Sequence, residues 1–171
     1  REHSFALWLA RQGFPVYLLD WGDICKEAVP PDIDTLIGQR LKSILDFVQV
    51  QHDTKVHLLG YCMGGTLSMS VPVLWPDKVN SLTLLAAPWD MQAGENSLSE
   101  RVHFWAGGAA PCIMRKGYLP ATWLEGLFAS LDPEMTLNKF TRFADMAVGS
   151  AEEKIFVAVE DWLNSGRDLP A

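Results

Sequence analysis

Six residues, Gly60-Tyr61-Cys62-Met63-Gly64-Gly65, constrain this chain more than any other stretch. An apolar run of strand length, Val56–Leu59, leads into them, and a run compatible with a helix opens at about Met63. A strand that turns into a helix within so few residues needs small residues two before and two after the pivot. Gly60 and Gly64 occupy those places around Cys62. The expectation is a nucleophile elbow in which a Cβ at Gly60 or Gly64 would clash, with Gly65 completing the glycine set. The backbone N–H of Met63 would then face a substrate oxygen and supply half of an oxyanion hole. The positive end of the helix dipole would favour the reactive thiolate form of Cys62. A lone cysteine is ordinarily a core residue; its setting between strand, glycines and helix points instead to a nucleophile.

The surrounding pattern reads as α/β. His3 to Gln12 forms a short helix ended by Gly13, and Val16–Leu19 a first strand closed by Asp20. Asp32 or Asp34 caps a helix whose Ile33, Ile37, Leu41, Ile44, Leu45 and Val48 recur at helical spacing. Val56–Leu59 is the second strand. The helix from Met63 ends near Trp75 and Pro76, with Pro72 as a candidate kink. Ser81–Ala86 is the third strand. Strand, helix, strand, helix, strand at these intervals builds a parallel sheet with flanking helices.

After Asp90 the character changes. Met91 to Pro120 is rich in glycine, small residues and turn signals around the apolar patch FWAGGAAPCIM. Trp123–Leu131, Glu134–Ala147 and Ala151–Leu163 read as helices with no strand between them. The division expected is residues 1–94 as a partial sheet core and residues 95–171 as a helical insertion with an exit segment.

Composition supports one globular unit: 171 residues, 49% of them hydrophobic. A net charge of −7 argues against nucleic acid or an anionic membrane surface as a main partner. Three widely spaced cysteines, Cys25, Cys62 and Cys112, form neither a disulfide framework nor a CxxC zinc pattern, and they fit a reducing cytoplasm. Cys25 and Cys112 are read as packing residues. No apolar run reaches membrane-spanning length.

GYCMGGT, with GFPVYLLDWG upstream and PDKVNSLTLLAAPWD downstream, resembles the polyhydroxyalkanoate synthase family, which carries cysteine where lipases carry serine. FVAVEDWLNSGRDLP resembles the segment leading out of the synthase cap. The resemblance covers nearly the whole chain. It implies an α/β-hydrolase fold with a helical cap and polymerisation of (R)-3-hydroxyacyl-CoA through a thioester on Cys62. It also implies that the partners are the hydroxyacyl-CoA and the growing polyester, and that the protein is a homodimer in the cytoplasm or at the polymer granule surface; the sequence itself indicates no metal or redox cofactor. Sulfur suits such a transferase: exchange of one thioester for another costs little, and the acyl group stays activated for transfer to a hydroxyl.

A cysteine of this kind needs a histidine base and an orienting acid, in the chain order nucleophile, acid, histidine. The family takes both from loops after later strands. The 171 residues are therefore read as an internal fragment lacking N- and C-terminal core strands and inactive alone. Asp90, closing the third strand, is a candidate acid, its other reading being a cap or loop hydrogen bond; Asp20 and Asp23 carry that second reading too. His3 reads as surface, His52 as a turn residue and His57 as a hydrogen-bonded core residue; His103 is the one histidine after Cys62. Trp89, Phe104, Trp105 and Trp123 line either an acyl channel or the core. Two rival readings remain: a cysteine-dependent α/β hydrolase of dienelactone hydrolase or thioesterase type, and a non-catalytic degenerate relative.

Overall fold

In the computed structural model, β1 (Val56–Tyr61) and β2 (Val79–Leu85) run parallel, with Leu58 opposite Leu82 and Tyr61 opposite Leu85. The structure describes residues 4–90 and 97–170. Side chains alternate along β1: Val56 and Leu58 turn inward and Gly60 is buried, while His57, Leu59 and Tyr61 face out. His57 thus departs from its expected core position. It is exposed, and its ring binds the Ser81 hydroxyl at 2.7 Å and the Asn80 amide at 3.0 Å.

The inward face of the sheet meets a long helical segment. It opens with α2 (Ile33–Thr35), capped by Asp32, which accepts the Thr35 N–H at 2.7 Å. It continues through a π-helical stretch, Leu36–Leu41, into α3 (Lys42–His52). Leu41 and Leu45 are buried with Val71 in the core, against which Leu19, Trp21, Val56, Leu58, Trp75 and Val79 pack. The helical spacing found most of this face. Ile33 is the exception: it is exposed, and Leu36 is buried in the same segment.

The helix after the elbow is two pieces. α4 (Met63–Ser68) ends, the chain turns at Met69–Ser70, and α5 (Val71–Leu74) restarts with Pro72 in its first turn. Proline fits that place because first-turn N–H groups have no intrahelical acceptor. Val71, 0% exposed, anchors the restart.

α1 (Phe5–Arg11) is capped by Ser4 and followed by Gly13 at φ 91°. His3 lies outside the described residues. Val16–Leu19 is not a strand: it has no ladder partner among the described residues, and Leu18 is 85% exposed. The segment is held by side chains instead. The Tyr17 hydroxyl meets His52 Nε2 at 2.8 Å, the Tyr17 ring meets Phe47 edge-on, and Leu19 reaches the core.

The expected turn-rich region is largely helix: α6 (Ser97–Lys116) continues through Pro111. α7 (Ala121–Leu131), α8 (Pro133–Ala144) and α9 (Ala151–Leu163) follow. A short antiparallel pair, β3 (Tyr118–Leu119) with β4 (Leu169–Pro170), ties the end of this half to the link between α6 and α7, where no strand was expected. Asp168 accepts the Ala121 N–H at 2.9 Å beside this pair. The expected boundary at residues 94/95 lies outside the described residues.

Candidate active site

The elbow forms where the two parallel strands end. β1 runs to Tyr61, two residues further than expected, and Cys62 then adopts φ 51°, ψ −125° before α4 begins at Met63. A side chain at such a φ costs on the order of 1–3 kcal/mol and persists only where the surroundings impose it. Here they do. The Cys62 N–H donates to the Leu85 carbonyl at 2.9 Å, extending the sheet's bonding to the pivot. The Cys62 carbonyl accepts the N–H groups of Gly65 at 2.9 Å and Thr66 at 3.2 Å, closing the first turn. The cysteine is half-buried, and its side chain makes no capping hydrogen bond. Met63 is the first helical residue, so its N–H has no intrahelical acceptor.

The glycines divide differently from expectation. A Cβ on Gly60 would lie 2.5 Å from the Gly65 Cα, a backbone collision with no relief. A Cβ on Gly65 would lie 2.5 Å from the Ala87 Cβ and 3.0 Å from the Gly60 carbonyl oxygen. Gly64 has open space at that position. The close pair is therefore Gly60 against Gly65, three residues past the pivot, because α4 leans its third residue against β1 and the exit of β2.

Two neighbours escaped the sequence reading. Ala86, directly after β2, has φ 46°. The Thr66 hydroxyl donates to the Pro88 carbonyl at 2.9 Å. Positive φ at alanine leaves no mark in composition, and threonine in a helix carries no special signal. A third feature reaches across from the helical half: the Trp162 ring of α9 lies 6.3 Å from the Tyr61 ring, tilted by 43°.

The other candidates are dispersed. His52 binds Tyr17, and His57 binds Ser81 and Asn80. His103 is an exposed residue of α6, and Asp90 is exposed in the segment that follows β2. Asp20 accepts the Gly22 N–H at 2.8 Å in a local turn, and Asp23 pairs with Lys26 at 2.7 Å. Burial pushes the Cys25 thiol up, with Asp168 and Asp23 adding to the rise, the reverse of activation. Cys112 is half-buried in α6. Trp89 and Phe104 are exposed. Trp105 and Trp123 meet edge-on, centroids 4.9 Å apart, beside an apolar depression of about 290 Å³ with Ala109, Ile113 and Leu127 in its wall. Among the described residues, no group of three histidine, cysteine or acidic side chains is placed to hold a metal ion, and no helix is long and apolar enough to cross a membrane.

The sequence profile of the family described as the alpha/beta hydrolase fold matches residues 3–106, more than half of the chain and all of the elbow. The chain belongs to the alpha/beta hydrolase fold family. It is similar to the poly(3-hydroxyalkanoate) polymerase subunit PhaC of Haloferax mediterranei, 30% identical over 98% of this chain and 35% of that protein. The subunit of the same name from Allochromatium vinosum is 31% identical over 98% of this chain and 47% of that protein. A 2-hydroxy-6-oxononadienedioate/2-hydroxy-6-oxononatrienedioate hydrolase of Escherichia coli is 34% identical over 45% of this chain and 27% of that protein. The chain thus spans between about a third and a half of the length of these polymerase subunits. No solved structure gives a significant match.

Proposed function

We propose that this alpha/beta hydrolase-fold chain is part of a polyhydroxyalkanoate synthase, with Cys62 as the acyl-carrying nucleophile. The observation that carries the reading is the strained backbone of Cys62 at the carboxyl ends of two parallel strands, beside the start of α4, where the Met63 N–H has no intrahelical acceptor. Ligand chemistry in open parallel sheets gathers at that edge.

In this reading Cys62 Sγ attacks the thioester carbonyl carbon of an (R)-3-hydroxyacyl-CoA. The new carbon–sulfur bond forms, the Met63 N–H binds the oxyanion, and the bond to the coenzyme A sulfur breaks. The cysteine proton passes through a base to coenzyme A, which leaves as a thiol. The hydroxyl of a second acyl unit then attacks the Cys62 thioester. An ester bond forms, the hydroxyl proton returns to the cysteine, and the chain is one unit longer. His52 and His57 hold other partners, so the reading assigns the base, and the acid that orients it, to the length of the relatives that these residues do not span. Asp90 stays the candidate acid within the chain, and α6–α9 form a cap over the site. The polyester is held at a granule surface in the cytoplasm, by a homodimer.

One observation favours a synthase over a small hydrolase. The polymerase relatives match 98% of this chain, the helical half included, whereas the hydrolase relative matches 45%. Sulfur at the pivot keeps the acyl group activated for transfer to a hydroxyl. The test is product analysis of the full protein supplied with (R)-3-hydroxybutyryl-CoA. Polyester from the unmodified protein and none from a folded Cys62→Ala variant supports the reading. Free hydroxy acid alone supports the hydrolase, and normal polymer yield from the variant refutes the assignment.

A further inference from the structure

The four residues that leave β2, Leu85 to Pro88, grip the elbow at three points. The Leu85 carbonyl takes the Cys62 N–H at 2.9 Å. The Ala87 methyl packs where a side chain on Gly65 would stand. The Pro88 carbonyl takes the Thr66 hydroxyl at 2.9 Å. Ala86, between the first and second grips, is held at φ 46°, which turns the chain back toward α4. Thr66 is the residue that closes this arrangement. Its backbone N–H reaches back to the Cys62 carbonyl at 3.2 Å while its hydroxyl reaches forward to Pro88.

We infer that Thr66 is a positioning residue that locks the first turn of α4 to the exit of β2, and so aims the Met63 N–H and the Cys62 sulfur. The physical need is clear. α4 is six residues long, and a helix that short has little stability of its own. An oxyanion donor acts only if it stays within hydrogen-bonding distance of the developing charge. The Thr66–Pro88 bond is open to solvent, so it adds little to global stability. What it adds is direction: it joins the helix carrying the donor to the strand that already holds the pivot.

This inference rests on Cys62 being the nucleophile, and the experiment has two arms so that the two ideas fail separately. In the first, full protein carrying Thr66→Val is mixed with (R)-3-hydroxybutyryl-CoA, and acyl transfer to Cys62 is followed. Valine keeps the shape and removes the hydroxyl. The expected result is a roughly tenfold fall in kcat with KM unchanged, restored by Thr66→Ser. A wild-type rate in Thr66→Val, a Thr66→Ser variant as slow as Thr66→Val, or a loss confined to KM overturns the positioning role. In the second arm, amide hydrogen exchange is measured at Gly65 and Thr66 without substrate, expected to quicken several-fold in Thr66→Val and to recover in Thr66→Ser. If the unmodified protein never acylates Cys62, the nucleophile reading fails and the second arm decides: faster exchange upholds the lock, and unchanged exchange removes it.

Discussion

Glycine does opposite work in the two halves of this molecule. At the elbow, Gly60 and Gly65 bring backbone against backbone, with 2.5 Å between the Gly65 Cα and a Cβ added at Gly60. In the helical half, Gly108 and Gly126 each seat an indole. The Trp123 ring tip lies 2.7 Å from a Cβ added at Gly108, and the Trp105 tip 2.9 Å from one added at Gly126. The seats are reciprocal, since each tryptophan stands three residues before the glycine that receives its partner. Backbone contacts cannot yield, whereas an aromatic tip can swing. The elbow is therefore a place where one geometry is enforced, and the α6–α7 contact a place where packing is adjustable.

The sharpest way to break the contrast is Gly60→Ala. With backbone atoms on the receiving side, it should lower stability by about 3 kcal/mol or prevent folding, read from the urea midpoint. Gly64→Ala, one position before Gly65, meets nothing and should be neutral or stabilising by up to about 1 kcal/mol through helix propensity. Equal losses at Gly60 and Gly64 would undo the account of the elbow. Next comes Gly108→Ala, expected to stay within about 1 kcal/mol of the parent, because the added helix propensity offsets the displacement of Trp123. Its tryptophan fluorescence should nonetheless change, and a loss as large as that of Gly60→Ala would mean that the helical half is as rigid as the elbow.

Strain at the pivot gives a smaller effect. Cys62→Gly should be more stable than Cys62→Ala by about 1 kcal/mol, since only glycine adopts φ 51° without cost. Equal stabilities would deny the strain.

The smallest effect is acid-dependent. Lys42, at 2.7 Å, and Lys78 hold the Asp46 carboxyl below its usual range and tie α3 to the start of β2. A depressed carboxylate contributes stability above the unfolded carboxylate pKa, and loses it as pH falls through the folded value. The gap in denaturation midpoint between the parent and Asp46→Asn should therefore close as pH drops below about 4. A gap that persists in acid would mean that the ion pairs are not its source.

Which parts could be read in advance follows from the same contrast. The elbow was legible because its demands are local: an apolar run, a pivot and glycines within ten residues. α9 was legible at both ends, since Ser150 caps it by accepting the Glu153 N–H and the pattern behind is continuous. α6 was not. Gly107, Gly108 and Pro111 are poor helix formers, and they are outweighed by contacts with α7 that no local window contains. Val16–Leu19 failed for a related reason: apolar character marks a segment fit for a sheet, but a strand exists only with a bonded neighbour. Spacing alone picks out Gly64, and only the lean of α4 shows that Gly65 is the crowded one. The pairing of Thr66 with Pro88 spans 22 residues and has no local signature.

The central claim is that the residue held at φ 51° between β1 and α4 carries the acyl group. Mass spectrometry on peptides from the full protein, quenched in acid shortly after mixing with (R)-3-hydroxybutyryl-CoA, tests it most directly. The account predicts a hydroxyacyl thioester on the peptide containing Cys62, absent from Cys62→Ala and removed by hydroxylamine. An acyl group found on Cys25, Cys112 or a serine, with Cys62 unmodified, would contradict it.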